Sequence, residues 1–163
     1  MSGEFNNMKK EPNFNIVLVR PEIPQNAGNI GRLCVNCDCR LHLIEPLGFS
    51  LEDKYLKRAG LDYWKHLDFK VHQSFDEFLQ SEKPRKIFFF STKAEKTLWE
   101  CIYPPGSYLV FGNESSGLPP DLYEKYSDML VKIPMPGKNS RSMNLANATA
   151  VALYEAIRQR QET

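Results

Sequence analysis

Residues 107–118, SYLVFGNESSGL, join a short apolar run to a turn of glycine, asparagine and serine. SYLVF has little polar alternation, as expected of a parallel strand covered on both faces. In the turn, Gly112 and Gly117 permit backbone conformations closed to other residues and expose amides and carbonyls to a ligand. The spacing is not the G-x-G-x-x-G of a dinucleotide fingerprint. With Pro119 and Pro120 following, a turn of this kind is more often a plain loop that opens a helix.

Outward from this stretch the same pattern repeats. NIVLV (15–19), LHLI (41–44), KIFFF (86–90) and LVKI (130–133) are further strand candidates, and helical stretches fall near 27–37, 52–60, 74–81, 119–125 and 144–160. Alternating strands and helices predict an α/β fold with a mostly parallel sheet flanked by helices. In the last helix Leu145, Ala148, Thr149, Ala152, Leu153 and Ala156 form one apolar stripe, while Val151, Tyr154 and Ile157 occupy other faces. Such a helix is either buried in its own core or packed as well on a second subunit. Residues 1–13 read as a flexible leader, with one domain over 14–163.

Two more loops follow apolar strands, at the edge where open α/β sheets bind ligands. In PEIPQNAGNIGRLC (21–34), Asn26 is a candidate helix cap. Gly28 and Arg32, four apart, leave a gap beside the guanidinium where a phosphate or ribose can approach. The plainer reading is a cap with Arg32 in a structural ion pair. In IPMPGKNSRSMNLANATAV (133–151), a strand end leads through a polar turn into a helix that Ser140, Ser142 or Asn144 can cap.

Composition narrows the function. A net charge of +1 argues against a protein that coats nucleic acid non-specifically, leaving local patches: Lys54, Lys57 and Arg58; Lys83, Arg85 and Lys86; Lys138 and Arg141; Arg158 and Arg160. No apolar run approaches the roughly 20 residues of a membrane span and no signal peptide is recognisable, so a cytoplasmic protein is expected. Cys34, Cys37 and Cys39 are close together, but Cys101 is isolated and the histidines show no ligand spacing; buried thiols are expected rather than a metal site. No nucleophile–base arrangement and no Walker A loop occurs.

Taken in order, N-x-G-x-x-x-R at 26–32, G-N-E-x-x-G-L at 112–118, and I-P-M followed by S-M-N-L at 142–145 resemble the three motifs of the SPOUT (α/β-knot) superfamily of RNA 2′-O-ribose methyltransferases. HLIEPLGF (42–49) and KRAGLDYW (57–64) resemble its short TrmL branch, which modifies the tRNA wobble ribose. The resemblance implies a C-terminal trefoil knot, at about residues 85–160, and an obligate homodimer. It also implies S-adenosyl-L-methionine as methyl donor, with S-adenosyl-L-homocysteine as product, and tRNA, at a cytidine or modified uridine in position 34, as acceptor. By motif position Phe90, Gly112, Ile133, Ser142 and Met143 would hold the cofactor, Arg32 would be catalytic and Asn26 would shape its loop. The chain departs from the branch at Asn113, Ser116 and Ala146, where proline, arginine and serine are common. Methylation of another RNA site, and a non-catalytic RNA-binding knot protein, are the alternatives.

Overall fold

Asn15–Val19 is buried along its whole length as an inner strand of a six-stranded parallel sheet in the computed structural model, which describes residues 11–52, 54, 56, 58 and 63–161. The elements run β1 (Asn15–Val19), α1 (Pro24–Asn36), β2 (Arg40–Ile44), β3 (Phe69–His72), α2 (Phe75–Glu82), β4 (Ile87–Phe90), β5 (Tyr108–Phe111), α3 (Pro120–Lys125), β6 (Leu130–Val131) and α4 (Leu145–Gln161). The sheet order is β3-β2-β1-β5-β4-β6. Every expected strand is present, and the sheet is parallel throughout. The helix expected over 52–60 and the run at 57–64 fall partly outside the described residues.

Two strands differ from expectation. β3 was not anticipated: FKVH is short, carries Lys70 and lies at the sheet edge, so it lacks the continuous apolar run of an inner strand. β6 is shorter than LVKI because the chain changes partner after Val131. Lys132 N–H donates to the carbonyl of Lys96 (2.8 Å) and its own carbonyl accepts from Leu98 N–H (2.9 Å). That exchange carries Ile133 away from the sheet and over its carboxyl edge.

Strand side chains alternate between two cores. Ile16, Leu18, Leu41 and Leu43 pack with Ile30 and Cys34 of α1 and Leu153 and Ala156 of α4. Val17, Val19, Ile44 and Val110 pack on the opposite face with Phe78 of α2 and Leu122 of α3. Cys34, Cys39 and Cys101 are buried free thiols within the first core, and Cys37 packs against it. The α4 stripe is buried apart from the half-buried Ala148, whereas Val151 and Tyr154 stand 42% and 55% exposed. Asn13, at the end of the expected leader, is already anchored: its N–H bonds to the Asp38 carbonyl, and its side chain bonds to Cys37 and Arg160.

The fold also joins residues that the sequence leaves apart. His42 and His72, both buried, place Nδ1 and Nε2 3.0 Å from each other; His42 Nε2 lies 3.0 Å from Asn15 Oδ1, and His72 Nδ1 lies 3.4 Å from a Glu77 oxygen. The His42, His72 and Glu82 ligand atoms lie within 4.8 Å of one another. However, both Glu82 oxygens are occupied, by Lys70 Nζ at 2.8 Å and by the Tyr108 hydroxyl at 3.2 Å. The group is therefore a satisfied hydrogen-bonded chain.

Burial drives the His42 pKa down to about 3. Below the ordinary histidine value near 6.5 the unfolded chain takes up a proton that the folded chain refuses until pH falls to about 3. Stability therefore drops as pH falls through that window, by up to about 1.4 kcal/mol per pH unit from this group. Thermal melts of wild type and His42→Gln from pH 7 to 4 measure it, and the variant is expected to lose less with acid. Parallel curves would remove His42 as the source.

Candidate active site

A cavity of about 430 Å³ opens over the carboxyl ends of β4 and β5. Its wall contains Phe90, Gly112, Ile133, Ser142 and Met143, together with Asn26 from α1. Phe90 and Phe111, neighbours in register on β4 and β5, stack at 4.9 Å and 11°. The two rings, Ile133 and Leu145 supply apolar surface, while the backbone and the side chains of Asn113 and Ser142 supply polar groups. This mixture, and a volume within the roughly 300–1,000 Å³ of small-molecule sites, suits a nucleoside with a polar tail.

Gly112 is required by a close approach. A Cβ there would lie 2.0 Å from the Gly117 carbonyl carbon and 2.2 Å from Leu118 N. Its φ does not need to be positive; Gly117 is the residue in the left-handed region, at φ +71°. Between them Asn113 and Gly117 exchange two backbone hydrogen bonds of 3.1 Å, and Asn113 Oδ1 accepts from both Ser116 N–H and Ser116 Oγ–H at 2.8 Å. Two of the departures from the branch pattern, Asn113 and Ser116, are thus hydrogen-bonded to each other.

The first loop differs from its sequence reading. α1 starts at Pro24, a residue suited to a first turn because it has no N–H to satisfy, and Ile23 at the cap position makes no side-chain cap bond. Asn26 lies inside the first turn, so it does not cap the helix. It is buried, and its Oδ1 accepts from Asn144 Nδ2 at 3.2 Å. The negative group at this helix start comes from a distant loop: the Glu114 carboxylate accepts from the N–H groups of Glu22 (3.0 Å) and Ile23 (2.5 Å). Glu22 reciprocates, its carboxylate accepting from the N–H and hydroxyl of Ser115. Sequence reasoning missed this lock; the available signal was a helix with no acid in its first turn and no capping side chain.

Asn144 does cap α4, as one of three candidates, accepting from Ala146 N–H (2.9 Å) and Asn147 N–H (3.2 Å) while its amide reaches Asn26. Gly28 is buried, so the expected gap for a ligand beside Arg32 is filled by protein. Arg32 itself is exposed, six residues or roughly 9 Å along the helix from Asn26, and is not among the residues lining the cavity. Its guanidinium lies 4.7 Å from the centre of the Tyr63 ring and donates to the Tyr63 hydroxyl at 3.1 Å. This aromatic seat replaces the structural ion pair considered from sequence.

The basic patches take different roles. Arg158 pairs with Glu155 at 2.9 Å, and Arg160 holds Asn13, so both are engaged in the fold. Lys83, Arg85, Lys86, Lys138 and Arg141 are exposed. Lys57 lies outside the described residues. Among the described residues no helix is long and apolar enough to cross a membrane.

Comparison with known proteins agrees with this geometry. The chain is 52% identical over 147 residues to a tRNA (cytidine(34)-2'-O)-methyltransferase of Saccharophagus degradans, covering 90% of this chain and 95% of the relative. It is 47% identical to the protein of the same name from Escherichia coli (strain K12), with 90% and 93% covered. A solved structure from work on the 2-OH methylation of C/U34 on tRNA superposes with a TM-score of 0.87 at 48% identity, over 92% of this chain and 97% of that one. The SpoU methyltransferase AviRb of Streptomyces viridochromogenes, at 24% identity and a TM-score of 0.84, shares the fold. With residues 13–154 matching its model, the chain belongs to the SpoU rRNA Methylase family.

Proposed function

We propose that this chain is a cytoplasmic tRNA 2′-O-methyltransferase that transfers a methyl group from S-adenosyl-L-methionine to the ribose of nucleotide 34, a cytidine or modified uridine. The observation that carries the reading is the cavity over the carboxyl ends of β4 and β5, where Phe90, Gly112, Ile133, Ser142 and Met143 from three separate loops meet. The names of the relatives at 47% and 52% identity support the choice of acceptor.

When bound, S-adenosyl-L-methionine would supply an electrophilic methyl group for the ribose 2′-oxygen, with S-adenosyl-L-homocysteine as the leaving group. The chain's own residues then have two tasks, positioning and handling the 2′-hydroxyl proton. Phe90, Ile133 and Met143 would hold the adenosyl group, and the backbone at Gly112 and the Ser142 hydroxyl would meet its polar groups. The Asn26–Asn144 bond and the Glu22–Glu114 lock tie α1 to these loops, so the helix carrying Arg32 is aligned with the site. Arg32 is assigned the acceptor nucleotide. A guanidinium held against a ring has its plane set, which favours gripping phosphate or ribose oxygens.

The same proposal includes one domain over residues 14–163, a trefoil knot at about residues 85–160 and a homodimer. The segment from β6 to α4 crosses the carboxyl edge beside the 112–117 loop and reaches Asn26, as a threaded chain would. Val151 and Tyr154, exposed on α4, supply apolar surface for a second copy. Calorimetry with S-adenosyl-L-homocysteine, then mass mapping of tRNA treated with protein and S-adenosyl-L-methionine, tests the reading; one site per chain and a 14 Da gain at nucleotide 34 are expected. Absence of both would overturn it. Light scattering is expected to give about twice the 18.8 kDa chain mass. A fully active monomer at micromolar concentration defeats the dimer.

A further inference from the structure

The strand order places a second crevice where nothing has yet been assigned. From β1 the sheet continues to β2 and β3 on one side and to β5, β4 and β6 on the other. The connections leaving β1 and β5 therefore diverge, and a cleft opens over their carboxyl ends, the position at which doubly wound sheets take ligands. The cavity described above lies mainly beyond this point, over β5 and β4. The cleft itself encloses about 590 Å³ and includes Arg20, Lys93, Leu118, Pro119, Tyr123 and Glu124 in its wall.

Three observations point to a polyanionic strand as its occupant. Arg20 and Lys93 share the lining with a single acid, Glu124, which leaves the cleft net positive. Arg20 has a left-handed backbone, φ 53°, although it is not glycine. Such conformations persist where surrounding structure enforces them, and they concentrate at binding sites; here the Arg20 N–H is held by the Ile44 carbonyl at 2.9 Å. Finally, Lys93, Asn113, Ser116, Gly117 and Tyr123 line both the cleft and the first cavity. The Asn113–Ser116–Gly117 turn, closed by its own hydrogen bonds, is a ridge between them.

Resting on the function proposed above, we propose that the switch-point cleft is the subsite for the RNA nucleotide adjoining the one that is methylated. Its phosphate lies between Arg20 and Lys93, and its base lies against Pro119 and Pro120. A strand laid over the ridge puts one ribose at the methyl donor's cavity and its neighbour in the cleft. Asn113 and Ser116, where this chain departs from the wobble-branch pattern, form the ridge that the strand crosses.

Arg20→Gly removes the cation and relieves the left-handed backbone, so the variant is expected to fold; Arg20→Lys keeps a charge; Glu124→Gln removes the acid. Each is assayed for S-adenosyl-L-homocysteine affinity by calorimetry and for methyl transfer to tRNA at several salt concentrations. Arg20→Gly is expected to leave S-adenosyl-L-homocysteine affinity and kcat within about twofold, raise KM for tRNA about tenfold, and reduce the salt slope by about one. Arg20→Lys is expected near wild type, and Glu124→Gln to lower KM. An unchanged KM and slope in both Arg20→Gly and Glu124→Gln overturns the cleft assignment, as does a loss in Arg20→Gly confined to kcat. Failure of the wild-type protein to bind the product or to methylate tRNA strikes the proposed function instead.

Discussion

Arg32→Ala is expected to lower methyl transfer by at least roughly 100-fold, because the acceptor loses the group assigned to orient it. Folding and cofactor affinity change little. The side chain is exposed, its ring stack and hydrogen bond to Tyr63 are worth about 1 kcal/mol at a surface site, and the cofactor cavity is lined by other residues. The measurements are product affinity, thermal midpoint and single-turnover methylation of tRNA. Arg32→Lys separates two roles. Lysine keeps the charge but not the planar fork, so a positioning role predicts a variant nearly as poor as alanine, with weakened RNA affinity. A proton-accepting role predicts activity that returns as pH rises, since a lysine amine can be deprotonated. Full activity in the alanine variant would sink both roles.

Gly112 is the position where the smallest substitution is expected to do the most damage to cofactor binding. The conflict begins at Cβ, 2.0 Å from the Gly117 carbonyl carbon, so Gly112→Ala and Gly112→Val are expected to behave alike and no rotamer relieves either. Gly117 has to move away from the 112–113 segment and break the Asn113–Gly117 pair, at a cost of about 1–3 kcal/mol in stability. Product binding is lost with it, seen as disappearance of the thermal upshift that a native-state ligand produces. Gly117→Ala is the comparison. Its penalty comes mainly from φ +71°, about 1 kcal/mol, and cofactor binding survives in part. A normal upshift in Gly112→Ala removes this loop from the site.

Several features were legible along the chain because they are local. Runs such as NIVLV and SYLVF, apolar on both faces, declare inner parallel strands, and the glycine, asparagine and serine after them declare the loops at the ligand-binding edge. Asn144 could be read as a helix cap because the donors it satisfies are two and three residues away. The buried stripe of α4 follows from a 3.6-residue period within one helix.

What tertiary structure alone decided are the partnerships between segments far apart in sequence. Asn26 looked like a cap and is instead bonded to Asn144, 118 residues away, while the carboxylate at the start of α1 belongs to Glu114, 92 residues from its backbone partner. His42 and His72 have no meaningful spacing in the sequence and meet because β2 and β3 are neighbours. Gly112 looked like a residue needed for its φ, and the fold shows that it is needed for the backbone packed against it. Periodicity and turn chemistry are properties of one segment and depend on its own residues, so the sequence by itself determined the α/β class and the loops of the site. A hydrogen bond or a close approach between two loops depends on where the sheet order carries each of them, and that is settled only when the whole core packs.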